Sequence, residues 1–276
     1  MHKRPVAWVW GLVLFALGMA GGAAWDLALN HAIYAPNFYP AIWMECFGYY
    51  PLYLPALVWL WLSGTGAVRV MARLASLVGA AALFAVSVNN LQKRGIDNGV
   101  LHAAAVWIVL LALALWLART LARSGPELSG RLRTAMGWAV VYMVLDNVCI
   151  NVLKLVWNRA RFDEMLATGN FDAFTSWFEP FGNGGSSFPS GHTAAACGIF
   201  ALVLLCDVLP AWNRRRTAVW AVCWCYVAGM AVSRLMMGRH FLSDTLAAAF
   251  VMSLLLFGLR TSKAYQDSLH RFDHET

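Results

Sequence analysis

About eight stretches of this chain reach, or nearly reach, the length of apolar sequence that crosses a bilayer, and that recurrence restricts the fold more than any other feature. They lie near 6–28, 43–64, 68–91, 100–122, 134–157, 191–210, 217–237 and 241–261. Each approaches the ~20 residues that span a hydrocarbon core. In hydrocarbon every backbone polar group must be satisfied internally, so such runs read as helices. The expected fold is therefore all-α: a polytopic integral membrane helical bundle of about eight spans, with a six-helix core within it. Only 13% of residues are charged, against about 25% in a soluble domain. The first stretch follows His2, Lys3 and Arg4, and it exceeds the roughly 7–15 apolar residues of a signal peptide. A retained anchor is expected. Pro51 and Pro55 predict a kink or a late start in the second span. With no repeat or linker along it, the chain is expected to form one membrane-embedded domain, 1–276, with a motif-bearing core at about 134–261.

Lys and Arg set the expected orientation. With eight alternating spans, fourteen of the 21 fall on the side of the N-terminus, of the loops near 65, 125 and 213, and of the C-terminus. By the positive-inside rule that side is cytoplasmic. The run NRRRTAV is then a loop near anionic headgroups, and nucleic acid is not an expected partner. The other seven are Lys93, Arg94, Lys154, Arg159, Arg161, Arg234 and Arg239. Five of them flank the long polar segment 162–190 or end the seventh span. Cations placed against the topological rule need another reason to be there, and phosphate is one. The six cysteines, Cys46, Cys149, Cys197, Cys206, Cys223 and Cys225, lack zinc-site spacing and read as buried small hydrophobes.

Alternation brings three polar clusters to the non-cytoplasmic face. KLVWNRARF ends the fifth span with Lys154 and Arg161, which would share one side of a continuing helix. Two such cations can clamp a phosphate dianion, or each can simply snorkel to the interface. FPSGHT opens the sixth span. There Ser190 caps a helix or binds an oxygen, Gly191 permits close approach, and the helix N-terminus favours an anion. His192 sits one residue inside, within reach of a leaving oxygen. SRLMMGRHFLSD adds Arg234, with His240 and Asp244 spaced for one helical face. A carboxylate on one imidazole nitrogen leaves the other as nucleophile or base, and a purely structural His–Asp bond has the same spacing. Together the clusters have the makings of a phosphoryl-transfer site. No carboxylate cluster suited to magnesium accompanies them, so no metal or other cofactor is expected.

Lys154–x6–Arg161, Pro-Ser-Gly-His at 189–192, and Ser233-Arg234–x5–His240–x3–Asp244 resemble the three signatures of the type 2 phosphatidic acid phosphatase superfamily. The resemblance implies a metal-independent membrane phosphatase with a helical core. It implies His240 as nucleophile forming a phosphohistidine, Asp244 as its partner, and His192 as the acid that protonates the leaving group. Lys154, Arg161, Ser190, Gly191 and Arg234 would hold the phosphate. The chain departs from the family pattern at Phe162, where Pro is usual, at Asn158, where Gly is frequent, and after Asp244, where it reads Thr245-Leu246-Ala247. None of these removes a charged or nucleophilic group.

The expected function is hydrolysis of a lipid phosphate or diphosphate in a bacterial cytoplasmic membrane, with the site facing outward and both termini cytoplasmic. A membrane lipid is the expected substrate and the bilayer its medium. Undecaprenyl diphosphate and phosphatidate both suit a site at that level. The alternatives are phosphoryl transfer to a lipid acceptor and a non-enzymatic transporter or scaffold. Outside the motifs, Asp146 is expected to pair with another helix, His102 to sit at the interface, and Asp207 to be solvated. Tyr49, Tyr50, Tyr53, Trp59 and Trp61 suit an aromatic belt or a lipid-tail groove. The aromatics of 171–181 suit a cover over the site or insertion into the interface.

Overall fold

A computed structural model describes residues 4–182 and 184–272, and it contains no strand among them. Helix α1 (Arg4–Ile33) is followed by two short helices, α2 (Tyr39–Phe47) and α3 (Tyr50–Leu62), then α4 (Gly66–Lys93) and α5 (Gly99–Trp157). The polar segment contributes α6 (Phe162–Thr168) and a 3₁₀ turn at Phe171–Ala173. Helices α7 (Gly191–Ala196) and α8 (Ala201–Val208) form one apolar span joined by a 3₁₀ turn. Then come α9 (Pro210–Asn213), α10 (Arg216–Met236), α11 (Leu242–Thr261) and α12 (Lys263–His270). Six of the described segments are long and apolar enough to cross a membrane, and the chain is an integral membrane protein.

Two expected spans take a different form. The stretch 43–64 is the pair α2 and α3, broken at Gly48, with Pro51 in the first turn of α3 and Pro55 inside it. Proline cannot donate an N–H to the preceding turn, so the sequence favours short pieces here over one continuous helix. The expected spans 100–122 and 134–157 are both parts of α5, which is interrupted where Gly125 takes φ 79° ahead of Pro126. Only glycine enters that region without strain, and proline begins the next helical stretch well because its missing N–H is not needed there.

The largest apolar core lies between the second half of α5, α7, α8, α10 and α11, around Tyr142, Phe200, Leu204, Met252 and Tyr265. Helix α1 packs along α11, while α3 packs on α4 and α5. The helices that carry the three polar clusters thus surround one core, with α1 on one flank and the α2–α4 group on the other. Cys225 is exposed rather than buried, on the outward face of α10, while Cys46, Cys197, Cys206 and Cys223 are buried.

Candidate active site

Lys154 lies in the last turn of α5, which ends at Trp157 with Asn158 in the left-handed region at φ 48°. Among residues with a side chain, asparagine tolerates that conformation best. Asparagine at this position is thus suited to the left-handed turn that ends α5. Because the helix stops there, Lys154 and Arg161 do not share a helix face as the spacing suggested. They meet instead on the far loop: Lys154 Nζ donates to the Ser186 carbonyl at 2.8 Å, and Arg161 Nη2 donates to Ser186 Oγ at 2.6 Å. Phe162, at the usual proline position, is fully buried and starts α6, packing against His31, Tyr34 and Phe171.

Ser190 is the N-cap of α7, and its Oγ accepts from Thr193 N at 3.3 Å. Its own N–H donates to the Asp244 carbonyl at 3.0 Å, which fastens this loop to the third cluster. A Cβ at Gly191 would lie 3.5 Å from Lys154 Cε, so a larger side chain here would press on the lysine. His192 follows, with the Tyr49 ring edge-on at 6.2 Å. It lies within electrostatic reach of Arg234, His240, Glu45 and Lys154.

His240 is in the turn before α11 and Asp244 is in the first turn, so the two are not on one helix. Nδ1 of His240 lies 2.6 Å from the Ser187 carbonyl and 3.7 Å from Asp244 Oδ2. The longer contact exceeds a hydrogen bond. A carbonyl only accepts, so Nδ1 carries the proton and Nε2 keeps its lone pair. Burial pushes the His240 pKa down to about 4, against the opposing pull of Asp244. Asp244 Oδ2 accepts from Ser187 Oγ at 2.5 Å and from Phe241 N at 2.8 Å, and Oδ1 accepts from Arg159 Nη1 at 2.6 Å.

Asp26 and Glu45 at this centre escaped the sequence reading of the site, and Arg159, counted there among the cations that phosphate would explain, is held by carboxylates instead. Arg159, fully buried, bridges Asp244 to Asp26 of α1, with Nη2 at 3.0 Å from Asp26 Oδ2. It also stacks over the Phe241 ring at 4.2 Å. Asp26 further accepts from the Ser243 N–H and hydroxyl. Glu45 of α2 accepts from Arg234 Nη1 at 3.2 Å and is gripped by Arg94 through Nε at 2.5 Å and Nη2 at 2.7 Å. Asp26 and Glu45 are carboxylates inside apolar stretches, where an ionisable group marks a functional site by default. That signal was available. Asp146, the buried carboxyl that did attract it, has no hydrogen-bond partner for Oδ1 among the described residues. Its expected interhelical pairing is therefore not seen at that oxygen.

The buried Nε atoms of Arg161 and Arg234 make no hydrogen bond within the described protein. Unused buried donors are costly unless an acceptor reaches them. With Lys154 and the α7 N-terminus, they form a cationic cradle beside the two imidazoles. A separate cavity of about 470 Å³ at the other end of the bundle, lined by Trp59, Arg133, Trp138 and Arg271 among others, contains no motif residue. Of the loop aromatics, Phe174 packs inside near Phe241, Trp177 donates to the Met19 carbonyl of α1, and Phe178 and Phe181 are exposed. Tyr49 and Tyr50 are buried on Ser87 rather than lying in a belt.

Comparison with curated proteins and with solved structures gives no match. The model of one family, the PAP2 superfamily, matches residues 135–267. That is just under half of the chain. It takes in all three polar clusters, with the C-terminal part of α5 and the helices after it, and through this segment the chain is similar to the PAP2 superfamily, a family of phosphatase-type enzymes.

Proposed function

We propose that this protein hydrolyses a lipid phosphate or diphosphate, without a metal, at the extracytoplasmic face of a bacterial cytoplasmic membrane. In this reading Nε2 of His240 attacks phosphorus, an N–P bond forms and the bond to the leaving oxygen breaks. His192 gives that oxygen its proton, then takes one from the water that cleaves the phosphohistidine and releases phosphate. Lys154, Arg161, Arg234 and the Ser190–Gly191 turn stabilise the equatorial oxygens. Asp244 fixes the loop that aims His240. Phosphatidate and undecaprenyl diphosphate are the substrate types that fit a phosphate held at the membrane surface.

The observation that carries this reading is the meeting of the first and third clusters on Ser186 and Ser187, the residues that lead into the second. Lys154 and Arg161 reach Ser186, and His240 and Asp244 reach Ser187. The test is phosphate release by the purified protein with a chelator present. The panel comprises phosphatidate, phosphatidylglycerol phosphate, undecaprenyl diphosphate, a lipid A species and a soluble sugar phosphate, with His240→Ala in parallel. Release from a lipid, lost in the variant, supports the hydrolase. Equal silence of both proteins on every substrate rejects it, and a phosphorylated lipid product without free phosphate replaces it with a transferase.

A further inference from the structure

A groove of about 590 Å³ begins at Gly191 and His192 and runs down between α3 and α4, past Tyr49, Tyr53 and Leu83 to Leu57 and Gly79. Its size is that of a ligand site, within the roughly 300–1,000 Å³ such sites occupy. From Asn90 to Gly79 the α4 wall descends about 16 Å at the helical rise, close to half of a ~30 Å hydrocarbon core. The lining is apolar apart from its upper end, and small residues keep it open: Ala56, Ala82, Ala195 and Gly79. A Cβ on Gly79 would meet Leu57 Cδ2 at 2.8 Å, so this glycine sets the width at the deep end. Ala82 and Val86 are exposed on α4, so the groove opens sideways toward lipid. Both α3 and α4 lie outside the segment matched by the family.

We infer that this groove seats the hydrocarbon chain attached to the leaving oxygen, and that it makes the protein selective for lipid phosphates with a tail at least one leaflet deep. The inference rests on the phosphatase reading above, because it uses His192 as the proton donor. The donor must contact the leaving oxygen, and the groove starts at the donor. The substituent on that oxygen therefore enters the groove, while the phosphate faces the cations. The tail passes from lipid to protein without meeting water, so the groove contributes orientation more than transfer energy.

The test is the ratio of kcat/KM for a long-chain and a short-chain member of each lipid phosphate class, in mixed micelles at equal surface concentration. The wild type should favour the long chain by about tenfold or more, the scale set by small changes in an apolar pocket. Gly79→Leu and Ala82→Phe should bring the ratio to within about twofold of unity. Leu77→Ala, on the lipid-facing side of α4, should keep the wild-type ratio. A wild type indifferent to chain length overturns the inference even if neither groove variant folds. So does an unchanged ratio in both folded variants, which would make the groove a seat for ordinary bilayer lipid. No turnover of any lipid rejects the phosphatase reading itself, and the inference with it.

Discussion

His240 directs Nδ1 at a backbone carbonyl and keeps its carboxylate neighbour at 3.7 Å, and its titration follows from that arrangement. A buried ring with one neutral acceptor resists protonation, which is why burial outweighs Asp244 and leaves the pKa at about 4. In the proposed mechanism the attacking form is the neutral ring, present above that pH. For the free enzyme, log kcat/KM should therefore fall with unit slope below about pH 4, with no acid limb near 6.5 from this residue. A pH profile on a substrate whose phosphate charge is constant over the range checks this. An acid limb near 6.5 would mean that Asp244 holds the imidazolium more tightly than the geometry allows. Arg159 is the other residue whose removal has a defined cost. Arg159→Ala leaves the carboxylates of Asp26 and Asp244 buried without their shared cation. Stranding buried charge of this kind costs about 3–5 kcal/mol, read as a large drop in thermal stability in detergent. Asp26→Asn keeps the shape and leaves Arg159 on Asp244 alone. It should lower kcat more than it raises KM, because Asp26 touches no phosphate-binding group.

At the scale of elements, α2 is a short helix whose role is carried by one side chain. Glu45 holds Arg234, a proposed phosphate ligand, and is itself fixed by Arg94 from the end of α4. Glu45→Gln removes the charge from a hydrogen-bonded ion pair worth about 1.5–3 kcal/mol, so kcat/KM should fall by about 10–100-fold. Arg94→Ala should cost less, since Arg234 retains Glu45. Steady-state kinetics on one lipid substrate orders the two variants, and equal losses would place Arg94 itself at the phosphate. This pair also marks where the sequence stopped being readable. The three clusters were legible because each packs its chemistry into a dozen residues or fewer, and alternating spans fix which end they share. Glu45 and Asp26 act through partners 189 and 133 positions away, and no local spacing encodes such a pairing. The breaks at Gly48 and Gly125 were partly legible, through Pro51, Pro55 and the Gly125-Pro126 step. The periodic reading of Lys154 with Arg161 failed for a local reason: Asn158 ends the helix between them.

Over the whole molecule the two ends of the bundle treat cations differently, and this bears on orientation. At the motif end, Arg94, Arg159, Arg161, Arg234 and Arg239 are each bound to a carboxylate, and Lys154 donates to a backbone carbonyl. Their charges are spent on partners inside the protein. At that opposite end Asp207 is nearly buried rather than solvated, and it accepts from Arg216, Arg260 and Tyr265. It ties α8, α10, α11 and α12 together far from the imidazoles. Asp207→Ala leaves two arginines without their carboxylate and should destabilise the fold by about 3 kcal/mol, with kcat/KM per folded molecule unchanged. Thermal unfolding and kinetics on the same sample separate the two effects. The remaining basic residues of that end include Arg214 and Arg215, both exposed and without an ion pair to a described residue. The positive-inside rule would put a loop of such cations on the cytoplasmic side, and at the motif end Phe178 and Phe181 are exposed and uncharged. In a cysteine-depleted chain, Phe178→Cys should therefore react with a membrane-impermeant thiol reagent in intact cells. Trp212→Cys, beside the arginine run, should react only after the membrane is opened. The reverse pattern would turn the site toward the cytoplasm and restrict its substrates to lipids whose phosphate lies at the inner leaflet.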